Sequence, residues 1–325
     1  MRSFNHVNAK SVREAVRLLQ EHKGGATVLA GGTDLLGVLK DRILASYPET
    51  VINIKTIPNL EHIEEKAAGL KIGALTRLVD IVKSPIVLSG FCALAEAAKS
   101  VATPLIRNMG TIGGNLCQDV RCWYYRYPHQ MGGRMICRRK GKGPCFAVKG
   151  DNRYNAIMGA KACFAVCPSD TAIALTALGS GVKIVGPNGT RTLPIGDFYT
   201  PMGYALNPDE ILTEIKIPKP PQGCRQTFLK FTLREPVDFA VVSVASLLTV
   251  KDGVCTQARI VLGGVAPTPL RARGAEQAIE GRTVNKATAE EAAEAAVSGA
   301  KPLSKNAYKI EITKALVKRA ILSQC

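Results

Sequence analysis

The chain has 325 residues, 46% apolar and 21% charged, enough to bury the core of one large domain or of two smaller ones. No run of about 18 apolar residues occurs, so no membrane-spanning helix is expected. The start, MRSFNHVNAKSVREAVRLL, has neither the apolar stretch nor the cleavage site of a secretory signal, and a cytoplasmic protein is expected. The net charge of +17 fits a solvated basic surface or an acidic protein partner, and no helix-turn-helix, finger or RNP-like pattern points to nucleic acid.

The first element is a helix over 11–22, where Ser11 and Glu14 form a capping-box pattern and Gly24-Gly25 stops the chain. ATVLAGGTDLL follows: a short strand, a double-glycine turn, then Thr33 and Asp34 leading into apolar residues. Gly31 and Gly32 let backbone N–H groups approach an anion, and Thr33 adds a hydroxyl. VINIKTI (51–57) and LKIGALTRL (70–78) alternate as strands, and helical patterns cover 81–87 and 91–100. RNMGTIGGNL (107–116) is a second glycine-rich turn, unlike either the G-x-G-x-x-G fingerprint or a Walker loop. Two such turns suggest a pyrophosphate gripped from two sides.

Beyond residue 168 the pattern predicts a helix over 170–178 and a hairpin in VKIVGPNGTRTLPI turning at Asn188-Gly189. The proline-rich IPKPPQG (217–223) reads as a linker. Strands in TFLKFTLR, AVVSVASLLTV and ARIVLGGVA precede helices at 275–280, 288–298 and 306–323, an α+β arrangement.

Six of the ten cysteines crowd between Cys117 and Cys167, whereas Cys92, Cys224, Cys255 and Cys325 are scattered and read as ordinary small side chains. In a reducing compartment such a cluster points to metal. Cys122, Cys137, Cys145 and Cys163 have 14, 7 and 17 residues between them, which matches neither zinc ribbons nor ferredoxins. Pattern alone leaves zinc and an iron–sulfur cluster both open. His129 reads as a solvated loop residue. Trp123-Tyr124-Tyr125 would shield a cluster or simply pack, and RRKGKGP supplies local positive charge.

AGGTDLL (30–36), IGALT (72–76), IRNMGTIGGNL (106–116), LREPVDFAVVSVA (233–245) and LGGVAPTPLRA (262–272) resemble the FAD-binding subunits of the xanthine dehydrogenase / carbon monoxide dehydrogenase family of molybdenum hydroxylases. The likeness spans essentially the whole chain. It implies an α+β fold of the vanillyl-alcohol-oxidase type, with FAD-binding subdomains over 1–57 and 58–220 and a C-terminal α+β domain over 224–325. It also implies that Leu29, Ala30, Gly31, Gly32, Thr33, Asp34 and Leu35 grip the FAD pyrophosphate together with Thr111, Ile112, Gly113, Gly114 and Asn115. Asp170 would accept a hydrogen bond from the cofactor, Leu212 would border the flavin ring, and Lys230 would lie near it.

One feature departs from the ordinary family pattern: about forty extra residues, within 117–163, follow TIGGN. NLCQDVRCWYY and this insertion resemble the β subunits of 4-hydroxybenzoyl-CoA reductases. That branch implies a 4Fe–4S cluster on Cys122, Cys137, Cys145 and Cys163, with Cys117 and Cys167 outside the set and Cys167 the first substitute. The resemblance further implies an electron-transfer subunit without catalytic residues of its own. Its partners would be a molybdopterin subunit, a small subunit with two 2Fe–2S clusters and a ferredoxin-like electron donor or acceptor, in a dimer of heterotrimers. Reductive dehydroxylation of an aromatic acyl-CoA is the expected reaction of the complex. The alternatives are an oxidative xanthine, N-heterocycle or aldehyde dehydrogenase and, remotely, a zinc-stabilised basic binding module.

Overall fold

The structure, a computed structural model, describes every residue except Arg134, Pro236, Gln324 and Cys325. The expectations for Cys325, for Arg134 in the basic run and for Pro236 in LREPVDF therefore lie outside the described residues. The chain opens with β1 (Asn5–Asn8), α1 (Val12–Glu21), β2 (Ala26–Leu29), α2 (Leu35–Asp41) and β3 (Thr50–Asn53), and the strands form a parallel sheet in the order β1-β3-β2. Every residue of β3 is buried, as expected of the middle strand of a parallel sheet. Helix α1 buries Ala15, Val16 and Leu19. The expected capping box is displaced by one residue. Ser11 Oγ does accept the Glu14 N–H, but the Glu14 carboxylate takes the N–H of Lys10 (2.7 Å).

The second part begins with β4 (Ile63–Lys66), β5 (Gly69–Gly73) and the short helices α3 (Leu78–Lys83), α4 (Pro85–Gly90), α5 (Cys92–Lys99), α6 (Pro104–Met109) and α7 (Ile112–Leu116). After the insertion come α8 (Asp170–Ala177), β6 (Gly181–Gly186), β7 (Gly189–Pro194), α9 (Ile195–Phe198), β8 (Tyr199–Thr200), β9 (Gly203–Tyr204) and β10 (Ile211–Pro218). The main sheet here is antiparallel, in the order β4-β5-β10-β6-β7, and β8 pairs with β9.

Two expectations change in this part. Gly186 pairs with Gly189, so the hairpin turns at Pro187-Asn188, one residue earlier than expected. Proline presets the backbone for the corner, and Gly189 (φ +109°) takes the left-handed position that follows. The second glycine-rich stretch is also more helical than its composition implies. Thr103 with Pro104 caps α6 and Thr111 caps α7, so only Gly110 and Thr111 separate the two helices.

The third part holds β11 (Cys224–Phe231), β12 (Val242–Lys251), β13 (Val254–Gly263) and β14 (Leu270–Arg271), then α10 (Arg273–Ile279), α11 (Lys286–Ala296) and α12 (Tyr308–Leu322). Its sheet, ordered β11-β12-β13-β14, is covered on both faces. Val242, Val244 and Leu248 pack with the core of α10–α12, while Ala245 and Leu247 pack with α5 and α8 of the second part. Every residue of α8 is buried, and its alanines and threonines let α5 and the third part's strands β12 and β13 approach it closely.

Among the described residues the insertion between α7 and α8 carries no strand and only 3-10 turns at His129–Met131 and Arg138–Lys140. A small apolar cluster holds it: Val38 and Ile43 against Val120, Tyr125, Cys137, Cys163 and Ala165. No described helix is long and apolar enough to cross a membrane.

Candidate functional site

The two glycine loops, one after β2 and the other leading into α7, are packed against each other. A Cβ on Gly31 would stand 2.1 Å from the Met109 carbonyl oxygen, and one on Gly113 would stand 2.8 Å from that of Ala74. Only glycine permits these approaches. The N–H groups of Gly31, Gly32, Thr33, Asp34 and Leu35 have no acceptor among the described residues. Successive free N–H groups in a loop form an anion cradle, and the Lys55 ammonium, bonded to the Ala30 carbonyl (3.2 Å), adds positive charge beside it.

The second loop works differently from expectation. Its amides are already used: Ile112 donates to Thr76 O, Gly113 to Ala74 O, Gly114 to Thr111 Oγ1 and Asn115 to Thr111 O. Its remaining donors are the Thr111 hydroxyl and the Asn115 carboxamide. Ser169 and Thr171 hydroxyls both donate to Asn115 Oδ1 (2.7 Å each), so the Nδ2 group is the one left for a ligand. Ile112 is fully buried in the core, and Leu29 sits beneath the loop, its side chain close under Gly32.

Cavities flank the loops. One of about 510 Å³ is lined by Ala30, Leu35, Leu75, Tyr204, Leu206 and Leu212. The other, about 340 Å³, is lined by Ile106, Asn115, Asp170, Lys230 and Phe239. Thr33, Asp34, Thr111, Gly114 and Gln118 line both. A polar waist between two roomy lobes suits FAD, which has a ring system at each end and a pyrophosphate between them. Leu212 and Lys230, expected beside one ring, therefore line different lobes.

Asp170, the first residue of α8, is paired with Lys230: Nζ lies 2.7 Å from Oδ2, and 2.9 Å from the Ser100 carbonyl. Burial raises the Asp170 carboxyl above its ordinary range, and the Lys230 ammonium works against that rise.

The Asp34 carboxylate is engaged by residues that follow α7: it accepts from Arg121 Nη1, from Arg126 Nη2 (2.7 Å) and from the Asp119 N–H (2.8 Å). Arg121 also stacks over the Phe239 ring at 4.7 Å. Asp119 in turn accepts from the Tyr125 hydroxyl and lies 3.6 Å from Arg139. The sequence reading missed Arg121, Arg126 and Phe239. The available signal was the pair of arginines in VRCWYYR, overlooked beside the cysteines.

Arg139 reaches the thiols. Cys122, Cys137, Cys145 and Cys163 line a single small cavity of about 20 Å³ together with Tyr124, Tyr125, Arg138 and Arg139. None of the nine described cysteines is in a disulfide. Burial pushes the Cys122 and Cys163 thiols up; backbone N–H groups of Tyr124 and Tyr125 at Cys122, and of Ala165 at Cys163, oppose it, as does Arg139 at Cys163. No three described Cys, His, Asp or Glu side chains converge as the ligands of one metal ion. The four thiols thus ring a space of about one water molecule, with Arg138 and Arg139 at its wall. Cys117 and Cys167 lie elsewhere, packed with the core of α5 and α8, where burial pushes each thiol up to about 12. His129 is exposed and does not line the thiol cavity.

The fold and the loops define an FAD-binding α+β flavoprotein. A family profile described as the FAD binding domain in molybdopterin dehydrogenase matches residues 2–220, and one for the CO dehydrogenase flavoprotein C-terminal domain matches 227–324. The aldehyde oxidoreductase FAD-binding subunit PaoB of Escherichia coli K12 is 35% identical over 85% of this chain and 86% of its own. The carbon monoxide dehydrogenase medium chain of Hydrogenophaga pseudoflava is 31% identical over 98% of this chain and 96% of its own. A solved structure of carbon monoxide dehydrogenase from that organism superposes with a TM-score of 0.78 at 31% identity, covering 98% and 96% of the two chains. The chain belongs to the molybdenum hydroxylase family as an FAD-binding medium subunit, an oxidoreductase flavoprotein.

Proposed function

We propose that this chain is the electron-transfer subunit of an oxidative molybdenum hydroxylase complex, with FAD across the glycine loops and a 4Fe–4S cluster held by Cys122, Cys137, Cys145 and Cys163. The adjacency of the two sites carries the reading. Cys122 lines both the thiol cavity and a neighbouring cavity of about 500 Å³, which shares Asp170, Pro168 and Phe239 with the FAD lobe. When bound, FAD exchanges two-electron for one-electron transfer, and the cluster handles single electrons.

The chain's own residues do the holding. The free N–H groups of 31–35, the Thr111 hydroxyl and the Asn115 amide bind the pyrophosphate. Arg138 and Arg139 offset the negative charge of the thiolates, and Tyr124 and Tyr125 restrict water around them. Substrate chemistry belongs to a molybdopterin subunit, joined to this chain through a small 2Fe–2S subunit in a dimer of heterotrimers. The basic 138–149 stretch, where Arg138, Arg139, Lys140, Lys142 and Lys149 stand, fits a ferredoxin-like acceptor. The chain divides into FAD-binding parts at 1–57 and 58–220 and a third part at 224–325.

The oxidative direction is favoured by relatives named for aldehyde, carbon monoxide and nicotinate oxidation. The long cysteine insertion favours a second reading, in which electrons run inward to reduce an aromatic acyl-CoA. Iron and acid-labile sulfide per flavin test the cofactors: about four irons per FAD supports the cluster, while zinc or no metal removes it. Turnover of aldehydes and N-heterocycles against aryl-CoA reduction by a low-potential donor separates the two directions.

A further inference from the structure

We propose that Asp34 is a positioning residue through which FAD binding fastens the arm carrying Cys122, so that the two redox sites take up their groups cooperatively. The inference rests on the cofactor assignment above, but its central observation is independent of iron. Asp34 belongs to the first glycine loop, and its carboxylate accepts from Arg121, Arg126 and the Asp119 N–H. Those donors flank Cys122 in sequence. The arm has no strand or helix from 118 to 128; besides the bonds to Asp34 it is held by the burial of Val120 and Tyr125 and by Trp123 stacked on Tyr154.

The sign of the coupling follows from charge. Both arginines line the lobe that also contains Thr33, Gly114 and Asn115. A bound pyrophosphate adds negative charge next to the Asp34 carboxylate, and like charges at that distance repel unless cations lie between them. With Arg121 and Arg126 docked the repulsion is offset; with the arm detached it is not. FAD therefore binds the arm-docked state better, and this differential affinity is what a ligand needs to shift an equilibrium. By reciprocity an arm stapled by its cluster binds FAD more tightly.

The test uses the full-length chain, stripped of FAD and then saturated with it, as judged by flavin absorbance. Hydrogen exchange is followed in peptides covering residues 119–133, with peptides from β12 as the control. In the wild type FAD should slow exchange in the arm by about tenfold, within the roughly 5–150-fold range of ordinary coupling, and leave β12 unaffected. In Asp34→Asn, saturated with FAD in the same way, the arm should respond less than about twofold. Arg121→Gln, which breaks the same pair from the other side, should behave alike and guards against a folding defect in the first variant. In parallel, FAD should slow chelator-driven loss of the visible iron–sulfur band in the wild type and not in either variant. A wild-type arm indifferent to FAD, or an Asp34→Asn arm that responds fully, would overturn the proposal. Absence of iron would sink only the cluster assignment, because the exchange measurement still decides the role of Asp34.

Discussion

The Lys230 ammonium meets the Asp170 carboxylate at 2.7 Å across the seam between the third sheet and α8, and each side chain is 6% exposed. A pair so buried contributes little net stability, but breaking it strands a charge. Lys230→Met should therefore lower unfolding stability by about 3–5 kcal/mol, and the double variant with Asp170→Asn should recover much of the loss. The pH dependence has a definite sign. The folded carboxyl sits above its unfolded value, so between the two values the folded state binds more protons and stability falls as pH rises. Removing the lysine lifts the folded value further, so the penalty should be smaller at about pH 5 than at about pH 8. Urea unfolding at both conditions measures it.

A methyl group at Gly31 has nowhere to go, because the Met109 carbonyl oxygen stands 2.1 Å from its position. Gly31→Ala should force the glycine loops apart, cost about 1–3 kcal/mol and release FAD on gel filtration. Gly90, the last residue of α4, has nothing within 4 Å of its Cβ position and lines neither FAD lobe. Gly90→Ala should keep FAD and raise stability by up to about 1 kcal/mol, as alanine does in a helix. Flavin retention and thermal midpoints of the two variants form the comparison.

Where local chemistry decides the structure, the sequence was readable. Ser11 before an apolar period marked α1, and Gly31-Gly32 marked a turn whose close approach to Met109 only glycine allows. Where partners are remote, it was not. Arg121 and Arg126 lie 87 and 92 positions from Asp34, and no local period encodes such a pairing. The second loop misled for a related reason. Its glycines look available, yet tertiary contacts with Ala74 and Thr76 consume the N–H groups of Gly113 and Ile112. The bonds of buried backbone groups are settled by whichever element packs alongside.

The cysteines divide by position. Cys122, Cys137, Cys145 and Cys163 ring one cavity, whereas Cys167 is buried in the core of α5 and α8 and Cys117, half-buried, packs against that core and lines an FAD lobe. Serine at Cys137 or Cys163 should abolish or strongly deplete the visible iron–sulfur absorption while flavin remains. Cys117→Ser and Cys167→Ser should keep iron and sulfide at wild-type levels, at a stability cost of about 1–3 kcal/mol for burying a hydroxyl. Iron and sulfide per flavin in the four variants is the measurement.

Lys309 lies in α12 and is fully buried, with Nζ donating to the carbonyls of Tyr154 (3.4 Å), Asn155 (3.1 Å) and Gly264. Those carbonyls belong to the end of the insertion and to the exit of β13, so one side chain ties both to the last helix. Burial depresses its pKa to about 7. The folded value is below the unfolded one, so between about 7 and the ordinary lysine range the unfolded chain holds more protons, and stability from this group rises with pH. Lys309→Met removes the titration and leaves the Tyr154 and Gly264 carbonyls without this donor, costing about 1–3 kcal/mol. The wild-type advantage over the variant should therefore widen from about pH 6.5 to about pH 9, read as the difference in urea midpoints. A gap that stays constant or narrows would mean the ammonium keeps its proton throughout, held by the three carbonyl oxygens.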